Sequence, residues 1–187
     1  MLMKLSDYLA QYIAEELGVQ KVFLVIGGVC AHIVDSLELN EKIDYIPMQH
    51  EQSAAMAVDA YSRLTKNFGV AVATSGPGAT NLITGVACAH FDSTPCMFIS
   101  GQVNAWETKG EHKMRQFGFQ ETDIVDMVRP ITKYSVMVKD PQDFRYELEK
   151  AVYLAKHGRP GPVWLDIPMN VQQAEIEPDK MRRFDPA

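Results

Sequence analysis

The chain has 187 residues, 47% of them hydrophobic and 22% charged, a balance that supplies one globular domain and excludes an intrinsically disordered chain. Eighteen basic against 24 acidic residues give a net charge of −6 with no dense basic run, which argues against a nucleic-acid partner. No apolar run approaches the roughly 20 residues that cross a bilayer, no secretory pattern opens the chain, and the three cysteines form no CxxC pair, so no membrane partner and a cytoplasmic location are expected.

In chain order, Ser6 is a candidate cap for a helix over residues 6–17, with Leu5, Leu9, Tyr12, Ile13 and Leu17 at helical spacing and Gly18 as its stop. Residues 21–26 (KVFLVI) predict a short buried strand halted by Gly27 and Gly28. A helix over 30–37 and a strand over 43–47 follow. Residues 51–64, rich in alanine, predict a helix that a neighbour can approach closely. Residues 69–74 predict another buried strand, 75–81 (SGPGATN) a turn, 82–90 a small-residue helix, and 95–100 a fourth strand. The polar stretch 101–118 is expected to be a loop. A short helix over 122–127, a strand over 131–138, an amphipathic helix over 142–156 and a strand over 163–167 complete the pattern. The polar residues 172–187 read as a linker or frayed tail.

Short apolar strands alternating with helices predict an α/β fold with a mostly parallel sheet. Ligands in such folds gather at the carboxyl ends of strands. Four segments fall there: Gly27–Gly28, residues 49–51, the turn 75–81, and Gly101–Gln102.

Gly27 and Gly28 lack GxGxxG spacing, and a plain strand-to-helix turn is the alternative. The turn 75–81 suits backbone amides cradling an anion, without the lysine of a nucleotide-triphosphate loop. Glu51 is the leading candidate for chemistry. It opens an apolar helix, where a carboxylate either favours the helix dipole or shares a proton with a basic ring nitrogen. His50 is a candidate base or substrate contact. His112, Lys113 and Arg115 either meet an acidic substrate or face water. Phe119 beside Gln120 suits a flat heterocycle or a core. Cys30, Cys88 and Cys96 lack a base partner and read as small core residues.

Together these segments carry a resemblance: GG at 27–28, HEQSAAMAVDAYSR at 50–63, TSGPGATNLITGVACAHFDSTP at 74–95, SGQV at 100–103, FQETDIV at 119–125, PITK at 130–133 and GRPGPVWLDIP at 158–168. Over residues 3–172 the chain resembles the N-terminal pyrimidine-binding (PYR) domain of thiamine-diphosphate-dependent enzymes, closest to the acetolactate synthase large subunit and its relatives. The resemblance implies a three-layer α/β/α, flavodoxin-like domain over 1–172, with 173–187 a linker toward an absent central domain. It implies that Glu51 contacts N1′ of the cofactor aminopyrimidine, which favours proton removal from the thiazolium carbon so that a 2-keto acid can be decarboxylated or ligated. Gly28 and Val29 would lie beside the ring, Pro77 and Asn81 would shape the cofactor turn, and Phe119, Gln120, His112 and Lys113 would face substrate. Asp92–Ser93 and residues 158–162 would serve fold and dimer packing.

The sequence departs from that pattern in IGGV, where PGG is usual, and in a longer 101–119 segment. It also contains no GDG. In the family that motif begins the Mg2+-diphosphate site of a separate domain. Mg2+ is therefore expected only in the full enzyme, with a homodimer or a diphosphate-binding domain as partner. The 187-residue chain is expected to be inactive by itself. The alternative is a non-catalytic or split-subunit PYR module that assembles with a separate chain.

Overall fold

The computed structural model describes residues 1–186. In chain order the elements are β1 (Met3–Lys4), α1 (Leu5–Glu15), β2 (Lys21–Leu24), α2 (Ala31–Glu38), β3 (Asp44–Pro47), α3 (Glu51–Thr65), β4 (Gly69–Ala73), α4 (Pro77–Asn81), α5 (Ile83–Phe91), β5 (Cys96–Gln102), α6 (Ile124–Val128), β6 (Tyr134–Met137), α7 (Phe144–Lys156), β7 (Pro162–Pro168), α8 (Met169–Gln172) and β8 (Glu175–Ile176). Among the described residues no helix is long and apolar enough to cross a membrane.

Six strands form one wholly parallel sheet in the order β3-β2-β4-β5-β7-β6. Every residue of β4, β5 and β7 is buried, as expected for strands covered on both faces. On one face Leu5, Leu9 and Ile13 of α1 meet Phe144 and Leu148 of α7 over Val70, Val72 and Leu165. On the other, Ala54, Ala55 and Val58 of α3 and Val86 and Ala89 of α5 meet Ala71, Phe98 and Trp164. Completely burying a leucine such as Leu9 contributes about 1.5–3 kcal/mol, so each face is held by many such increments. This is the expected three-layer α/β/α arrangement.

Three expectations are corrected. Residues 77–81 are already helical, because Pro77 at the first helical position has its φ preset and needs no amide partner. Cys88 is exposed, whereas Cys30 and Cys96 are buried: helix α5 turns Cys88 away from the Val86 and Ala89 face. Over residues 172–186 the tail is neither frayed nor without structure. β8 pairs antiparallel with β1, Ile176 and Met181 are buried, and the Phe184 ring packs 5.5 Å from that of Tyr146. Its apolar residues follow no single period, so local pattern does not reveal their burial.

Candidate functional site

Strands β3, β2, β4 and β5 are consecutive neighbours, so the loops at their carboxyl ends lie side by side. That order gathers the segments around residues 27–30, 50–51, 75–81 and 101–102 at one edge of the sheet.

Glu51 is the first residue of α3 and is partly exposed. It does not cap its own helix. His50 does so, with its Nδ1 accepting from the Gln52 amide at 3.1 Å. An accepting Nδ1 leaves any ring proton of neutral His50 on Nε2. The carboxylate of Glu51 is thus free for another partner, and Asn81 Nδ2 donates to its Oε2 at 2.9 Å. Asn81 ends α4, so the turn after β4 is what orients Glu51. Its Oε1 lies 3.3 Å from where a Gly78 Cβ would stand, a tight contact, while the firmer clash of such a Cβ would be with the Thr74 methyl at 2.7 Å.

The remaining residues fit around this pair. The Thr74 side chain fills the space beside Gly27 and Gly78, where a Cβ at either would approach it within 2.4 and 2.7 Å. Gly28 is exposed and a Cβ there would meet nothing within 4 Å, leaving an open surface beside Val29. Gly76 has φ +61°, in the left-handed region, and its α-carbon abuts the Gln120 backbone: a Cβ would stand 2.8 Å from Gln120 O. Gln120 itself has φ +58°. Pro77 is exposed at the start of α4. The thiol of Cys30 donates to Gly27 O at 3.3 Å, and burial pushes it up to about 11, so it is no nucleophile near neutral pH.

The structure thus brings together Glu51, Asn81, Gly28, Val29, Pro77 and the Gln120 backbone. It does not bring His112 or Lys113 to Glu51 by any direct contact; both are exposed on the loop that follows β5. Phe119 is 79% exposed and packs into no core. Around residues 104–121 the organising groups are acidic. Glu121 accepts from the amides of Lys109 at 2.6 Å and Phe117 at 2.9 Å, and Lys109 pairs with Asp123 at 2.6 Å. Asn104 and Glu107 close a capping box over one turn of 3-10 helix.

Sequence reasoning missed Thr74, Asp166 and Gln172. Gln172 is fully buried and donates to Val29 O and Ile167 O, both at 2.7 Å. Asp166 is fully buried at the end of β7, and burial raises its carboxyl to about 7 against the hydrogen bonds from Ser100 and Gln102 that favour its charge. For Asp166 the available signal was a lone polar residue in an otherwise apolar strand; Thr74, after β4, and Gln172, in α8, carried no such signal. Among the described residues no group of three or more His, Cys, Asp or Glu side chains is placed to hold a metal ion.

Chemically, the edge offers a carboxylate oriented by one amide, with spare lone pairs and glycine surfaces on either side. Residues 3–127 match the family described as thiamine pyrophosphate enzyme, N-terminal TPP binding domain. The acetolactate synthase large subunit of Pyropia yezoensis is 43% identical over 172 residues, covering 88% of this chain and 28% of that protein. That of Corynebacterium glutamicum is 42% identical over 163 residues, covering 87% and 25%. The chloroplastic acetolactate synthase 2 of Nicotiana tabacum is 41% identical over 177 residues, covering 93% and 25%. The chain spans about a quarter of the length of these relatives. With two thirds of its length matched to one domain type and its motifs gathered at one sheet edge, the chain belongs to the N-terminal TPP-binding domains of thiamine pyrophosphate enzymes.

Proposed function

We propose that this chain is the aminopyrimidine-binding half-site of an acetolactate synthase-like, thiamine-diphosphate-dependent 2-keto acid carboligase or decarboxylase, a transferase or lyase of the cytoplasm. The observation that carries the reading is the Glu51–Asn81 pair beside the open surface at Gly28. The residues present fit an aminopyrimidine. An aminopyrimidine would have bare backbone at Gly28 to lie against and the Glu51 carboxylate as a hydrogen-bond partner.

When bound, thiamine diphosphate supplies a thiazolium that accepts the electrons released as a 2-keto acid loses carbon dioxide. Glu51 accepts a hydrogen bond at N1′ and holds the proton shared there. Asn81 fixes the carboxylate's direction, so little reorganisation is needed when that proton moves. Gly78 leaves the second oxygen more room than a larger residue would, and Val29, next to the exposed Gly28, would flank the ring. Phe119 and Gln120 stand toward substrate, and His112 and Lys113 are free to meet its carboxylate as the loop meets a partner domain. The diphosphate and Mg2+ belong to a second domain, in the same polypeptide or in a partner subunit. A split enzyme, with this chain as a separate non-catalytic subunit, is the alternative.

The decisive experiment is Glu51→Gln in the assembled enzyme, followed by hydrogen–deuterium exchange at the thiazolium carbon of bound cofactor. Exchange is expected to slow by roughly 10²–10⁴-fold, the worth of a positioned acid-base group, with the fold intact. An unchanged rate would remove Glu51 from the chemistry.

A further inference from the structure

Two of the motifs quoted above, SGQV at 100–103 and the VWLDIP end of 163–168, meet in the interior. Strands β5 and β7 pair in register, with Phe98 opposite Trp164 and Ser100 opposite Asp166. Side chains alternate along a strand, so Phe98, Ser100 and Gln102 share one face with Trp164 and Asp166. Ser100, Gln102, Trp164 and Asp166 are all within 1% of complete burial. Phe98 stacks on Trp164 at 5.9 Å and closes one end of the group.

The hydrogen bonds in this group have one direction. Trp164 Nε1 can only donate, and it donates to Ser100 Oγ at 2.8 Å. Ser100 therefore turns its own hydrogen to Asp166 Oδ1, 2.6 Å away. Gln102 Nε2 donates to Asp166 Oδ2 at 3.0 Å. Its second hydrogen goes to the Thr122 carbonyl at 3.1 Å, while Gln102 Oε1 accepts from the Val103 amide at 3.1 Å. The carboxyl fixes which way the Gln102 amide faces, and the amide in turn fixes residue 122. From there Thr122 Oγ1 donates to Gln120 O at 3.3 Å, and the Gln120 backbone rests on Gly76. Gly76 immediately precedes α4, which carries Asn81 to Glu51.

We propose that Asp166 and Gln102 are positioning residues that pin the Phe119–Gln120 corner to the end of the sheet, and so set the substrate side of the half-site from inside the core. Phe119 is exposed and Gln120 is left-handed, and the bonds through Glu121 tie the corner only to its own loop, so its placement on the sheet needs a contact from elsewhere. The bond from the buried Gln102 side chain to Thr122 O supplies that contact. The proposal rests on reading Phe119–Gln120 as substrate-facing.

The test compares three variants. Gln102→Met keeps the side-chain length and removes the bond to Thr122. Asp166→Asn keeps the volume but presents an NH2 group, so the Gln102 amide turns over and releases Thr122; it serves where Gln102→Met folds poorly. Trp164→Phe loses the bond to Ser100 but leaves the Gln102–Thr122 bond in place. In the chain without ligand, amide exchange over residues 117–123 should rise about tenfold, the worth of one hydrogen bond, in Gln102→Met and Asp166→Asn. In Trp164→Phe it should rise only as far as global stability falls. In the assembled enzyme the first two should raise KM for the 2-keto acid several-fold, with the Kd for thiamine diphosphate unchanged. Equal loosening in all three variants overturns the proposal, as does local loosening without any change in KM. Should Glu51→Gln leave carbon exchange untouched, the cofactor reading falls separately, and the amide-exchange result still decides the anchor.

Discussion

A fully buried carboxyl has consequences at the scale of one residue. Burial raises Asp166 from an ordinary value of 3.8 to about 7, so the folded chain holds its proton more tightly than the unfolded chain. The stability linked to that proton is present in full below 3.8 and is lost as pH rises through about 7. The full difference is on the order of 4 kcal/mol. Urea unfolding of the chain and of Asp166→Asn between pH 4 and pH 8 isolates this contribution. The difference in stability between the two should shrink by a few kcal/mol as pH rises; parallel profiles would show that Asp166 does not titrate in that range. Glu51 could be singled out in the sequence from its place after a strand. For Asn81 the resemblance implies only that it shapes the cofactor turn; its bond to Glu51 could not be read, because it lies thirty residues away and only the strand order brings the two within 2.9 Å. His50 shows the complementary case. A histidine beside a glutamate suggested chemistry, and the backbone geometry makes it a helix cap.

At the scale of elements, the inner strands were readable because burial on both faces demands unbroken apolar runs, and β4, β5 and β7 have them apart from Ser100, Gln102 and Asp166. The tail was not readable. β8 is two residues long and owes its existence to pairing with β1, and Ile176, Met181 and Phe184 are spaced too irregularly for either period. Its packing is nonetheless close: Arg145 donates to Pro178 O at 2.5 Å and the Phe184 amide to Glu149 at 2.8 Å. Ile176→Ala should therefore destabilise the chain by about 2–5 kcal/mol, as for any buried isoleucine, measurable as a lower urea midpoint at unchanged slope. A loss below about 0.5 kcal/mol would mean the tail is a surface appendage.

At the scale of the molecule, the half-site predicts an incomplete catalyst. The purified chain with thiamine diphosphate and Mg2+ should consume no pyruvate, and turnover should appear only when a diphosphate-binding domain is supplied in the same polypeptide or as a second subunit. Sustained pyruvate consumption by the chain alone would refute this. The sequence by itself determined most element types, the α/β class and the family, and it made Glu51 the leading candidate for chemistry. These follow from local period, turn chemistry and motifs read along the chain. Tertiary structure alone decided which oxygen of Glu51 is held, that His50 is a cap, that Cys88 is exposed, that the tail is packed, and that Asp166 reaches the Phe119–Gln120 corner through Gln102. The His50 cap is a local bond that needs the observed backbone geometry; the others depend on contacts between distant segments, and local periodicity carries no record of which segment lies beside which.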